Sequence, residues 1–409
     1  MKHTPLSTIY YSHNSNFFTE YEKRKNSPYA FSLGIKIHDH EAFFVELPGS
    51  PMNISRIYRK FAKLSELCAI LPKLAYESYE RNCLIDEIIL TNDIEGVHST
   101  RKEVMDVLNA EEGSDKKLRF DGMIKKYISL LCDDNSSFGV SLKSSADLRK
   151  LYDEFVLDEI KPDNHPDGEI FRKGLAEVVS ATQQVKHTGV FPEAKIVACI
   201  DEALQVLNRE DILPIYKIAV FHYLIGYIHP FYDGNGRLSR FISSYLLKRE
   251  FNTLVALRLS YTIKNTKNEY YKAFDLCNNK KNMGELTFFL NYFCDVIDES
   301  IDSLTEKLES GKEILDNFRI LLDSKYGNLD PAEQRKTSYV LWYLIQNDLF
   351  SNDPLDRKQL ASLLQVSSGS ARSYVSDLIN SGAPIVESKD GRKFVYKINS
   401  EELFLFLQK

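Results

Sequence analysis

The six cysteines of this chain, Cys68, Cys83, Cys132, Cys199, Cys277 and Cys294, form no CxxC pair and no clustered framework. That excludes a disulfide scaffold and reads as buried free thiols in a reducing compartment. No apolar run approaches the ~20 residues that a membrane-spanning helix needs. The opening MKHTPLSTIYYSHNS lacks the charged-then-apolar pattern of a signal peptide. The expected location is therefore the cytoplasm, without a membrane partner. Basic charge is not in excess either: the net charge is −6 over 409 residues, which argues against a broadly basic nucleic-acid surface. Internal repeats and low-complexity tracts are also missing.

What is present is ordinary for a globular protein: 43% hydrophobic and 27% charged residues, in a chain long enough for two or three domains. Residues 1–70 are aromatic and mixed, and the alternation from Phe31 to Val45 predicts short strands. His38-Asp-His40-Glu41 lacks a further spaced ligand and reads as a solvated turn. Residues 71–295 read as mainly helical, with loops at Glu111–Lys117 and Lys161–Gly168.

One stretch carries chemistry: His229-Pro-Phe-Tyr-Asp-Gly-Asn-Gly-Arg-Leu-Ser-Arg240. The almost wholly apolar run Pro214–Ile228 predicts a buried helix opened by proline and ended by Pro230. A second helix follows, with Leu238, Ile242, Tyr245 and Leu246 as its apolar stripe. Gly234, Asn235 and Gly236 then lie at a helix N-terminus, where free N–H groups and the helix dipole favour an anion. Arg237 and Arg240 fall on one side of that helix and can grip phosphate oxygens. Asp233 offers a hard carboxylate for Mg²⁺, and His229 has the pKa range of a general base. Alone, a histidine at a helix end or an Asp-Gly-Asn-Gly turn is usually structural. Together, at this spacing, they make a kit for nucleotide phosphates.

At every defined position the string resembles the signature of the Fic family, HPFx(D/E)GNGRxxR. The resemblance implies a mainly α fold: a helical core with a small β-hairpin flap. It also implies transfer of AMP from ATP, with Mg²⁺, to a Ser, Thr or Tyr hydroxyl of a protein target or of the chain itself. His229 then looks like the general base, Asp233 the metal ligand, and Gly234, Asn235 and Gly236 the anion hole. Arg237 and Arg240 look like phosphate contacts, with Phe231 as the anchor of the loop. Thr91-Asn-Asp-Ile-Glu95-Gly96 resembles the family's inhibitory motif (S/T)xxxE(G/N), placed at the end of a helix predicted from about Lys73. A glutamate there sits at the unfavourable end of the helix dipole and benefits from a cation, so pairing with Arg240 would block ATP's terminal phosphate. Tyr270, Tyr271 and Asn278 resemble the adenine-side segment, and His187–Glu193 lies where relatives carry the flap. The resemblance covers roughly Thr91 to Phe293. Removal of AMP from a modified protein is the variant reading.

From Ile297 a heptad seam (Ile297, Ile301, Leu304, Leu308, Gly311, Leu315, Phe318, Leu322) predicts a helix over 296–326, roughly 40 Å long at ~1.5 Å per residue. It either packs within the chain or pairs with a second copy in a homodimer; for so short a seam the first is commoner. Residues 331–409 resemble a winged helix-turn-helix domain, with helices over Asp353–Leu364 and Ala371–Ile379 and strands around Asp390-Gly391. Ser368, Ser370, Arg372, Ser373 and Ser376 fall on the second helix, and Lys389, Arg392 and Lys393 on the wing. From Asp330 onward ten acidic and ten basic residues cancel, so contact with protein is at least as well supported as contact with DNA. A DNA-binding regulator with a nucleotide-sensing fold is the competing reading.

Overall fold

In a computed structural model of the chain, residues 3–12, 16–110, 118–131, 140–179, 185–391 and 393–408 are described. The loop expected at Glu111–Lys117, and also Cys132 and Arg392, lie outside them. The chain divides into two compact units: residues 1–61 with 84–302, and residues 62–83 with 303–409.

The first unit opens with α1 (Leu6–Tyr11) and α2 (Phe17–Lys25), then the antiparallel hairpin β1 (Ala30–Ile37) and β2 (His40–Val45). Leu33, Ile35 and Ile37 alternate with exposed residues, the pattern of a strand with one buried face. Leu6, Phe17, Tyr21, Phe43 and Met283 form a buried cluster that fastens α1 and α2 to β2. Next come the first part of α3 (Ser50–Ile70), the later part of α4 (Lys73–Ile94), α5 (Arg101–Leu108), α6 (Asp121–Ile128) and α7 (Ser145–Phe155). A short hairpin follows, β3 (Glu177–Val179) with β4 (Val185–Thr188), in which Val178 faces His187. The rest of this unit is α8 (Glu193–Leu207), α9 (Pro214–Ile228), α10 (Asn235–Glu250), α11 (Thr253–Ala256), α12 (Leu259–Asn265), α13 (Lys267–Asn278) and the first part of α14 (Thr287–Tyr326).

The centre of this unit is α9. Twelve of its residues are buried, including Ile215, Ile218, Phe221, Leu224, Ile225 and Ile228, so it is apolar all round, as a core helix must be. It packs against both α8 and α10. Each such side chain withdrawn from water contributes about 1.5–3 kcal/mol.

The segment His38–Glu41 departs from expectation. Asp39 is exposed, but His38 sits at φ +55 with its N–H donating to the Tyr227 hydroxyl at 2.6 Å. Its ring nitrogen lies 2.9 Å from the Asn278 carbonyl oxygen. The turn is docked on α9 and α13 rather than solvated, a long-range contact that local composition does not encode.

The second unit contains the later part of α14, then α15 (Pro331–Lys336), α16 (Ser338–Phe350), β5 (Leu355–Asp356), α17 (Arg357–Leu364), α18 (Ser368–Asn380), β6 (Ile385–Asp390), β7 (Lys393–Ile398) and α19 (Ser400–Gln408). The sheet order is β5-β7-β6. Helix, turn, helix and hairpin follow in the expected order; β5 and α19 were not anticipated. Asp356 and Gln359 close a capping box at the start of α17, and Gln365 ends it in the left-handed region at φ 56. Boundaries also shift. α14 begins at Thr287 rather than near 296, and residues 62–83 belong with the C-terminal unit. Tyr79 lies edge-on to Phe350, a contact between residues far apart in sequence. Leu304, Leu308, Leu315, Phe318 and Leu322 are buried within the chain, so the seam packs internally.

Gly311 is where the seam narrows. A Cβ there would stand 2.6 Å from Cζ of Phe350, itself 2% exposed. Alanine gains up to about 1 kcal/mol in helix propensity, but overpacking a buried ring costs about 1–3 kcal/mol. Gly311→Ala is therefore expected to lower the denaturation midpoint, and a raised midpoint in a urea titration would contradict this packing.

Candidate phosphate-binding and catalytic site

The site is built where α9 ends and α10 begins. His229 caps α9 in the left-handed region, φ 53 and ψ 60, and Pro230 prevents continuation. Phe231 then turns into the core, stacked on Tyr152 with ring centroids 3.6 Å apart and edge-on to Phe171 at 5.4 Å. Asn235 clamps the same residue. Its side-chain oxygen accepts from Phe231 N at 3.0 Å, and its amide nitrogen donates to Phe231 O at 2.8 Å. The Asn235 side chain is thus spent on loop shape, which leaves its backbone N–H for the anion role expected of it. Gly234 takes φ +83, open to glycine with little strain, and starts α10.

Two buried guanidinium groups line the start of α10. Arg237 is 1% exposed; its Nε and Nη1 have no partner among the described residues, and Nη2 is 3.5 Å from Asp233 Oδ1. Arg240 is 0% exposed. Its Nε donates to Thr91 Oγ1 at 2.8 Å, and its Nη2 to Thr91 O at 2.9 Å and Glu95 Oε1 at 2.8 Å, while Nη1 has no partner among the described residues. Buried, charged donors left unpaired are costly. An anion at the N-terminus of α10 would satisfy them.

Glu95 follows the last turn of α4, whose stop is Gly96 at φ +73. Burial raises the Glu95 pKa, but the Arg240 charge and hydrogen bond, with help from Arg237 and His229, hold it below the usual carboxylate value. Its carboxylate fills the space above Gly236, where an added Cβ would overlap Oε1. The end of α4 is fastened further: Lys267 Nζ donates to Ile94 O at 3.0 Å, and Lys264 pairs with Asp93. Two turns earlier Glu87, fully buried, accepts from Ser260 N at 2.8 Å and Oγ at 2.5 Å, and burial pushes it up to about 7.

The His229 imidazole is pushed down to about 4 by withdrawal from water, then by the neighbouring His187 and Arg172 charges. It is neutral at neutral pH and so able to accept a proton. Asp233 is half-exposed, with Oδ1 accepting from Gly234 N at 2.5 Å. Among the described residues no group of three or more His, Cys, Asp or Glu could hold a metal. Magnesium in a nucleotide site needs only one or two carboxylates beside phosphate oxygens, which Asp233 fits.

The adenine-side residues divide. All three lie on α13. Tyr270 is buried, its hydroxyl 2.8 Å from His222 Nε2 and its ring edge-on to Phe274, so it belongs to the core. Tyr271 is 42% exposed, with Lys267 Nζ 5.8 Å from its ring centroid. Asn278 accepts from the Tyr223 hydroxyl at 2.8 Å, so its side-chain oxygen is engaged. Sequence reasoning missed two residues that hold the site. Thr91 carries two of Arg240's three bonds, and the motif pattern already marked its position. Arg172 grips the His229 corner, and no spacing signal points to it.

Residues 143–247 match the model of the Fic/DOC family. Over that stretch the chain is similar to the Fic/DOC family. It is 30% identical over 198 residues to protein adenylyltransferase fic-1 of Caenorhabditis elegans, covering 46% of this chain and 34% of that protein. It is 33% identical over 89 residues to protein adenylyltransferase Fic of Drosophila yakuba, covering 22% of this chain and 16% of that one. The chain therefore matches about a third of the length of the first of these curated relatives and less of the second. A crystal structure of a Fic family protein from Desulfovibrio desulfuricans G20 shares the fold, with a TM-score of 0.52, 16% identity, and coverage of 87% of this chain and 97% of that one. The Fic match includes α7, the β3–β4 hairpin, α8, α9 and most of α10. Glu95, Thr91 and α13 lie outside it.

A pH prediction follows from His222, which is buried between Ser243 Oγ and the Tyr270 hydroxyl at 2.8 Å each and pushed down to about 3. An unfolded histidine titrates near ~6.5. Above that pH both states are neutral; below it the unfolded chain takes up a proton that the folded chain refuses, so stability is lost as pH falls from about 6.5 toward 3. Replacing His222 with Gln should flatten the fall of the denaturation midpoint between about pH 6.5 and 4. Parallel curves for the two proteins would show that the ring is not held neutral.

Proposed function

We propose that this chain transfers AMP from ATP to a hydroxyl side chain of a protein, and that Glu95 restrains the reaction. The observation that carries this reading is the pair of buried arginines with unpaired N–H groups at a glycine-flanked helix start, beside a neutral imidazole. The names of the relatives support it.

The N-terminal N–H groups of α10 and the Arg237 guanidinium would hold phosphate oxygens, with Arg240 on the terminal phosphate. A hydroxyl oxygen attacks the α-phosphorus while its proton passes to the His229 imidazole. The bond from that phosphorus to the bridging oxygen breaks, and pyrophosphate leaves. Magnesium held by Asp233 and the phosphates would neutralise charge on the leaving group. The protein's work is placement and charge compensation.

Restraint follows from one shared group. Arg240 cannot serve the terminal phosphate fully while Glu95 occupies its Nη2, and the Glu95 carboxylate fills the face of Gly236 that phosphate would approach. Residues 330–409, in which ten acidic and ten basic residues cancel, read as a recruitment or regulatory module, since that balance suits protein contact better than a DNA backbone.

Glu95→Gly is expected to raise incorporation of labelled AMP, into the chain or a lysate protein, with Mg²⁺ present. His229→Ala in that background should keep ATP affinity and lose transfer by about 10²–10⁴-fold. Undiminished transfer without the imidazole would remove the base; no gain on losing Glu95 would remove the restraint.

A further inference from the structure

Arg172 is 0% exposed, and its side chain has no carboxylate partner among the described residues. Its donors go to main-chain carbonyls instead. Nε donates to His229 O at 2.8 Å, Nη1 to Gly174 O at 2.6 Å, and Nη2 to Val190 O at 2.9 Å and Ile228 O at 3.5 Å. A buried cation without a counter-ion is costly unless dipoles compensate it. Here they do. Ile228 and His229 supply orphan carbonyls at the negative end of α9, where a cation is favoured.

The four acceptors come from three segments: the entry to the β3–β4 hairpin (Gly174), its exit (Val190) and the corner that carries the imidazole (Ile228 and His229). The stitching is reinforced by Val190 N donating to Ile228 O at 3.0 Å and Gly189 N to Ala176 O at 2.9 Å. The fit at the crossing is tight. A Cβ on Gly189 would overlap Arg172 Nη2 and stand 2.9 Å from His229 Cβ. The exit strand can pass this close only without a side chain.

We infer that Arg172 is a positioning residue that locks the hairpin to the His229 corner, so that a hydroxyl presented along the hairpin meets the imidazole in register. This rests on the proposed function. The four side-chain bonds of Arg172 go to main-chain carbonyls outside α10 and not to Arg237 or Arg240, so its contribution is expected to separate from nucleotide binding. Proximity is where such a residue acts, since a shift of about 1 Å costs about 10²-fold in rate. The nearby cation also helps keep the imidazole neutral.

The test uses the full chain in the Glu95→Gly background, comparing Arg172→Met, Arg172→Lys and Gly189→Ala with His229→Ala. Transfer of labelled AMP, ATP·Mg affinity by calorimetry and melting temperature are measured on each. Arg172→Met is expected to lower the transfer rate about 100-fold with ATP affinity within about twofold, and Lys to restore part of the loss. Gly189→Ala displaces the guanidinium while keeping its charge, and should give the same split if the Met variant does not fold. An unchanged rate, or ATP affinity falling in step with rate, overturns the inference. Retained transfer in His229→Ala defeats the base reading instead, whatever Arg172 does.

Discussion

The Arg240 guanidinium is the group on which the first unit's architecture converges. It is wholly withdrawn from water, and such a charge survives only if its hydrogen-bonding capacity is met by the protein or a ligand. Thr91 meets part of it from a hydroxyl and a carbonyl, and Glu95 meets part from a carboxylate. One donor, Nη1, is left over among the described residues. This arrangement ties the end of α4 to the start of α10, two helices far apart in sequence. In the proposed restraint the tie would be exchangeable, because Thr91 could keep its hold on the guanidinium if another anion took the place of Glu95.

That exchange depends on a rigid floor. The Phe231–Tyr152 stack and the two bonds from Asn235 fix the loop before any ligand arrives. Rigidity on one side and a half-exposed glutamate on the other is the asymmetry a restraint needs. The anchor of α4 lies deeper, in Glu87 and its two bonds to Ser260, so displacement of Glu95 need not loosen the helix that carries it.

Much of the site was legible in the sequence because its residues are contiguous. Pro214, Pro230 and the glycines punctuate the chain, and the bounds of α9 coincide with the apolar run. The partner Glu95 was legible only through the motif resemblance, since nothing local marks a helix-end glutamate as paired. Arg172 was not legible. Its role depends on carbonyls brought together by three separate segments, and a lone arginine in a polar stretch carries no periodic signal. Tyr270 shows the opposite failure: an aromatic residue read as a stacking face was claimed by the core through His222. In the second unit, element order could be read from capping and turn residues, but β5 is too short to show alternation. The inclusion of residues 62–83 reflects contacts such as Tyr79 on Phe350 that no window of sequence contains.

The spending of the Asn235 side chain on the loop has a wider consequence. What remains facing outward at the start of α10 is main-chain N–H and guanidinium, and these register negative charge without regard to which heterocycle it hangs from. In the proposed reaction, discrimination among nucleotide donors would then fall to residues away from the start of α10, such as the partly exposed Tyr271. The conserving of one end and the freedom of the other would let this scaffold change currency without rebuilding its grip.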